Sequence, residues 1–318
     1  MDALVGLLDG VRARGAFLLR AVLDPPWSLR IEDEAPLTLM AVARGEAWLG
    51  PVGGEPERVG PGDIAIARGP DHYVVSDRPG TPPTVIIHPG ERCTTLSGED
   101  LALTMHLGVR TWGNHLDGET VLLTGTYQGH SEVSRRLLGA LPPLAVVRAD
   151  ADDAPLLDLL AREIDRDVPG QEVVLDRLLD LLLIAVVRTW LARAGDRAPA
   201  WWRADADPVV GPALRLLHAD PARPWTVAGL AAAVGVSRAG LARRFVDLVG
   251  EPPMAFLTAW RLALAADRLL EPGVTIGAVA GEVGYGSPFA LSAAFKRAYG
   301  VSPHEHRQAA LAAAAATG

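Results

Sequence analysis

Cysteine is almost absent from this chain of 318 residues: Cys93 stands alone. No intrachain disulfide can form, and a reducing compartment is the expected setting. Long apolar runs are also lacking. The most apolar stretch, Leu178 to Val187, is about half of the roughly 20 residues that a bilayer-spanning helix needs, so no membrane partner is expected. The segment Met1 to Gly10 carries Asp2 and Asp9 and no basic stretch ahead of an apolar run, so no signal peptide is expected and a cytoplasmic location follows. Three catalytic signatures are missing as well: the Gly-x-x-x-x-Gly-Lys phosphate loop, the Gly-x-Ser-x-Gly elbow and His-Glu-x-x-His. No catalytic residue and no cofactor are expected, and the chain does not read as an enzyme.

What is present is unevenly distributed. The net charge is −8, but residues 208–318 hold ten Lys/Arg against seven Asp/Glu while residues 1–207 hold twenty against thirty-one. The polyanion-facing surface, if there is one, belongs to the C-terminal part. From Trp27 to about Val147 short apolar or alternating runs are broken by Gly and Pro: Leu37–Val42, Ala47–Leu49, Ile64–Ala67, Tyr73–Val75, Val85–Ile87, Ala102–Leu107 and Val121–Thr126. This texture predicts a β-sandwich or barrel, preceded by an amphipathic helix within residues 1–20. From Ala154 the period becomes helical, with one helix ending at Pro169-Gly170 and a second over Val173 to Ala194. That second helix is uncharged over Leu181 to Val187, and its apolar girth predicts burial against a second copy of the chain. Charges placed at Leu182 or Ile184 are expected to break such a dimer. Residues 196–207 read as a linker, and Ala309 to Gly318 as a low-complexity tail.

The strongest feature is a repeat. Leu230, Ala231, Val234, Gly235, Val236, Ser237, Leu241 and Phe245 return as Val279, Ala280, Val283, Gly284, Tyr285, Ser287, Leu291 and Phe295. The offset is 49 before the turn and 50 after it, because Gly286 is inserted. Small Ala permits two short helices to cross. Gly suits a positive φ where the first helix ends, and Ser can cap the second. Leu and Phe four apart face a core. Each copy is thus a helix-turn-helix with its second helix turned outward, and a single helix over Met254 to Leu270 joins the two.

The run from Trp225 to Arg307 resembles the AraC/XylS family of bacterial transcription regulators. The match rests on Ser237-x-x-x-Leu241-x-Arg243-x-Phe245, Arg261 with Ala265, Gly284-Tyr285-Gly286-Ser287, and Phe295-Lys296-Arg297-x-x-Gly300-x-Ser302-Pro303 through Arg307. The resemblance implies double-stranded promoter DNA as partner, and RNA polymerase as well if the protein is an activator. It places Arg238, Ala239, Ala242 and Arg243 of the first unit, and Pro288, Phe289, Ser292 and Ala293 of the second, toward bases. Lys296, Arg297 and Arg244 would lie near phosphates. Ala293 stands where the family often has arginine, and His306 where an aromatic is common, so the last turn is expected to pack differently.

The N-terminal part resembles the small cupin-like sensor domains fused to such regulators, through Gly60-Pro61-Gly62-Asp63-Ile64-Ala65-Ile66-Ala67-Arg68-Gly69 with His72, and through Leu39 to Leu49. Enzymatic cupins hold a metal with histidines that Pro36-Leu37-Thr38-Leu39 lacks, so no metal site is expected, although His88, His106, His115 and His130 remain scattered nearby. The architecture expected is α+β and multidomain: a cupin-like β-barrel over 1–150 and a helical dimerisation pair over 151–195. A linker over 196–207, an all-α domain with two helix-turn-helix units over 208–308 and the tail 309–318 follow. The function implied is a homodimeric DNA-binding regulator answering a small-molecule or stress signal sensed in the cupin-like domain, with Met40, Trp48, His72 and Tyr73 as the ligand-binding residues. Two alternatives stand beside it: a redox regulator working through Cys93, with Arg92 next to it, and a metal-dependent cupin enzyme with a DNA-binding appendage.

Overall fold

The computed structural model describes residues 17–127, 132–133, 138–139, 141–149 and 154–317. The helix expected within residues 1–20 lies outside them as far as residue 16, as does His130; residues 17–20 open a strand instead. Two compact units are formed. The first begins with strands β1 (Phe17–Leu23), β2 (Ser28–Ile31), β3 (Leu37–Arg44), β4 (Ala47–Pro51), β5 (Glu57–Val59), β6 (Ile64–Arg68) and β7 (Tyr73–Ser76). It continues with β8 (Val85–Ile87), β9 (Cys93–Thr95), β10 (His106–Gly108), β11 (Thr111–Gly113), β12 (Thr120–Tyr127) and β13 (Leu144–Val147), then helices α1 (Ala154–Ile164) and α2 (Gln171–Arg193).

The strands make two sheets, in the orders β10-β11-β1-β12-β3-β6-β13 and β5-β4-β7-β2-β8-β9. Side-chain alternation along each strand sets what lies between them. On β3, Met40 and Val42 join the inter-sheet core together with Ala47 and Leu49 of β4. Leu37, Leu39 and Ala41 take the other pleat, equally buried, and α1 packs on β1 and β3. Helix α2 is tied to β12 by Tyr127, whose hydroxyl donates to the Leu179 carbonyl at 2.8 Å. The stretch Ala102–Leu107 departs from its expected strand over residues 102–105, and only its end enters β10. Asp100 accepts the Ala102 N–H at 2.8 Å and Met105 N–H bonds back to Leu101, so local turn bonding wins over alternation.

The Gly60-Pro61-Gly62-Asp63 turn has a structural task. Asp63 accepts the N–H groups of Gly60 and Ala149 and a guanidinium N–H of Arg148. Burial pushes its carboxyl up, but those bonds and the Arg148 charge more than reverse this, and its pKa lies below the ordinary carboxylate range. The motif thereby pins the entry of β6 to the exit of β13.

The second unit contains α3 (Ala200–Asp205), α4 (Val210–Ala219), α5 (Val227–Ala233), α6 (Arg238–Val249), α7 (Pro253–Arg268), α8 (Ile276–Glu282), α9 (Pro288–Tyr299) and α10 (Pro303–Thr317). The stretch expected as a linker, 196–207, is instead folded into this unit: Ala204 of α3 is fully buried in the core around Leu214, Leu230 and Phe245. Asp207 explains why, since its carboxylate accepts the N–H groups of Val209 and Val210 at the start of α4 and holds Arg244 of α6 through both oxygens. The Ala-rich tail continues α10. The unit also takes in the stretch around Glu132 and Val133, whose N–H groups donate to the Asp267 carboxylate at 2.6 and 3.1 Å. Among the described residues no helix is long and apolar enough to cross a membrane.

Candidate functional site

The repeat is realised atom by atom. Ser237 accepts the Gly240 N–H at 3.1 Å and Ser287 accepts that of Ala290 at 3.2 Å, so both outward helices begin on a side-chain cap. Thr226 and Thr275 cap the preceding helices in the same way, through Gly229 and Ala278. Gly250 and Gly300 end α6 and α9 in the left-handed region. These four positions obey the same 49- and 50-residue offsets, so the sequence repeat itself extends beyond Leu230 and Phe295. The repeat runs still further. Phe245 meets Phe256 at 5.8 Å and 71°, and the equivalent pair, Phe295 with His306, meets at 5.4 Å and 62°. His306 therefore fills the aromatic position rather than repacking the last turn.

Each copy has its own core, and α7 contributes to both. Phe256 and Leu257 enter the first; Leu262, Ala265, Ala266 and Leu269 enter the second. Two arginines of the motif lock loops. Arg261 donates to the carbonyls of Pro221 and Arg223 at 2.6 and 2.8 Å, and Arg307 to those of Leu269 and Val274, both at 2.7 Å. The two turn glycines share a positive φ, +73° at Gly235 and +80° at Gly284, yet differ in surroundings. A Cβ on Gly235 would meet no atom of the described residues within 4 Å, whereas one on Gly284 would sit 2.5 Å from the Ala222 carbonyl oxygen. The second turn is thus pressed against the loop that Arg261 holds, which fixes one helix-turn-helix against the other.

On the outward helices Leu241, Phe245, Leu291 and Phe295 are fully buried. Arg238, Ala239 and Arg243 on α6 are exposed, as are Pro288, Phe289, Ala293, Lys296 and Arg297 on α9; Ala242 and Ser292 are half-buried. Phe289 is 86% exposed. Among the described residues Arg238, Arg243, Lys296 and Arg297 form no ion pair, so their charges are available to an external anion. Arg244 differs from the expectation of a phosphate neighbour because its guanidinium is engaged by Asp207. No local pattern announces this pair, since the two residues lie 37 apart in the chain.

A second site lies inside the barrel, a cavity of about 380 Å³. Met40 and Tyr73 line it, as expected, but Trp48 and His72 do not. Trp48 sits between Ala47 and Leu49, which point into the core, so alternation turns its ring to the opposite pleat. His72 precedes β7 and faces Glu32, Nδ1 to Oε1 3.9 Å. The lining also includes Asp33, Thr38, Arg110, Trp112, Thr124 and Thr126, which no sequence motif marks. Cys93 is half-buried in the same wall, while Arg92 is exposed. His106 also lines the cavity. His88 bonds Thr94, and His115 accepts the Asp117 N–H. Among the described residues no three His, Cys, Asp or Glu side chains converge as a metal site would require.

A two-sheet barrel with an internal cavity, followed by a tandem of capped helix-turn-helix units with cations on their outward faces, is the architecture of a DNA-binding regulator. Comparison with known proteins agrees. Residues 2–192 match the Cupin family and residues 230–309 the Helix-turn-helix domain family. Proteins named AraC-like transcription regulators from Streptomyces lividans and Streptomyces antibioticus are each 33% identical over 97% of this chain, covering 98% and 99% of their own lengths. The regulator MtrA of Neisseria gonorrhoeae is 28% identical over 97% of this chain and 98% of its own. The chain belongs to the AraC family of transcription regulators, with a cupin domain at its N-terminal end.

Proposed function

We propose that the protein binds promoter DNA through the outward faces of α6 and α9, under control of a small molecule held in the barrel cavity. The observation that carries this reading is the set of exposed, unpaired cations on both helices of an otherwise duplicated scaffold. Arg243 is the base-reading residue, since a guanidinium can bond guanine O6 and N7 together. Phe289 and Ala293 give the second helix an apolar face suited to thymine methyls. Lys296 and Arg297, one and two residues beyond Phe295, serve the phosphates. Residues 1–150 act as the sensor and 208–308 as the DNA-binding part, and an activating role would add RNA polymerase as a partner. Arg243→Ala should cost about 1–3 kcal/mol at the specific site and relax preference at one base pair. Arg244→Ala should instead lower folding stability through the loss of the Asp207 pair. Binding of a randomised DNA pool by each variant separates the two; uniform weakening by Arg243→Ala would make it a phosphate contact.

Dimerisation through residues 151–195 belongs to the same proposal, in a revised form. Leu182 is 2% exposed, so a charge there would unfold the barrel unit before it reported on association. The outer face of α2 carries Val173, Val174 and Leu181, exposed by 61%, 43% and 51%, and this stripe is where a second copy would pair. Leu181→Glu should shift sedimentation toward monomer without lowering the melting temperature. A wild type already monomeric at micromolar concentration removes the dimer.

A further inference from the structure

The cavity is apolar over most of its wall, through Leu19, Leu29, Ile31, Met40, Ile87 and Leu122. Its charged groups are unequally matched. Arg110 lies close enough to Asp176 of α2 to act on its carboxyl. Asp33, in contrast, follows β2 at the cavity wall, where one carboxylate oxygen accepts the Ala35 N–H at 3.1 Å and, among the described residues, no arginine or lysine pairs with it. Burial raises the Asp33 pKa above the ordinary carboxylate range, against the pull of its backbone bonds and of His72. The hydroxyl of Tyr73 shares this end of the cavity with Thr38 and lies within the field of Asp33. A carboxylate at an apolar wall with no arginine or lysine beside it among the described residues is a costly arrangement, and a cation arriving with an apolar body would relieve it. The surplus of acids over bases in residues 1–207, thirty-one against twenty, attracts the same class of molecule at longer range. The indole N–H of Trp112, also in the wall, is buried and has no partner among the described residues, leaving one donor for an acceptor atom on the guest.

We propose that the cavity selects organic cations, an apolar amine or quaternary ammonium seating its charge against Asp33. The inference rests on the reading of the cavity as the effector site and adds the sign of the effector's charge. Three probes of equal chain length test it on the full-length protein: decyltrimethylammonium, 1-decanol and decanoate, each below its micellar concentration. The readout is protection of Cys93 from alkylation, which reports the cavity wall alone because no other thiol exists, with tryptophan fluorescence as a second signal. The cation should protect at least tenfold more tightly than the alcohol or the carboxylate. Asp33→Asn, which keeps an oxygen for the Ala35 N–H, should bring the cation down to the alcohol and leave the alcohol unchanged. Equal or tighter protection by decanol or decanoate in the wild type overturns the charge preference while leaving the effector cavity standing. Protection by none of the three overturns both. Should Asp33→Asn fold poorly, the order of the three probes on the wild type decides alone.

Discussion

Gly284→Ala should lower the stability of the C-terminal unit by about 3 kcal/mol or more, against about 1 kcal/mol for Gly235→Ala. Both substitutions place a Cβ on a left-handed residue, and that strain is common to the two. Only at position 284 does the new atom also fall 2.5 Å from the Ala222 carbonyl oxygen, a separation that van der Waals repulsion forbids. Relief requires moving backbone, and the neighbouring carbonyls of Pro221 and Arg223 are fixed by Arg261. The loop cannot yield alone, so the second helix-turn-helix must shift relative to the first or the loop must release its arginine. Urea unfolding of the two variants, followed by far-ultraviolet circular dichroism, measures the difference. Equal losses would show that Gly284 serves conformation only, and that the two units are held together by α7 alone. DNA affinity should fall with Gly284→Ala beyond the loss of folded protein, because the spacing of α6 and α9 would no longer be set.

Specific binding should fall about a hundredfold between 50 and 200 mM monovalent salt. Four free cations on the outward helices, Arg238, Arg243, Lys296 and Arg297, would all enter the field of the duplex phosphates, whether they end at a base edge or at the backbone, and displace about four condensed counterions, giving a slope of log affinity on log salt near −3.6. A fourfold rise in salt then changes affinity by about two orders of magnitude. Arg244 is left out of this count because Asp207 already neutralises it; Arg244→Gln should leave the slope unchanged, whereas Lys296→Gln should reduce it by about one. A slope near zero would remove DNA from this face altogether. Fluorescence anisotropy of a labelled promoter fragment across the salt range gives the slope directly.

The repeat made the C-terminal half legible because both copies use the same local chemistry: a hydroxyl cap, a turn glycine and a Leu-Phe pair, each readable within about a dozen residues. What escaped there was long-range pairing. Arg244 with Asp207, Arg261 with the 221–223 loop and Gly284 against Ala222 join segments whose proximity no local pattern announces. In the barrel the strands with clear alternation were readable, but β9, β11 and β13 are three or four residues long and carry too little period to be distinguished from turns. The cavity suffered most. Met40 and Tyr73 were readable from motif position, yet the inward or outward sense of Trp48 depended on the phase of a strand, and Asp33 lies just past the end of β2 with nothing local to mark it.

The two helix-turn-helix copies share a skeleton but not a vocabulary. One outward helix offers guanidinium groups at Arg238 and Arg243; its counterpart offers Pro288 and Ala293 in the corresponding places, with the exposed Phe289 between them. Because the copies follow one another in a single chain, no rotation exchanges them, and the stretch of duplex they read has a beginning and an end. The stretch read by one protomer would therefore be an arrow rather than a palindrome, and in a dimer the relative direction of two such arrows along the DNA would be as much a part of the signal as their bases.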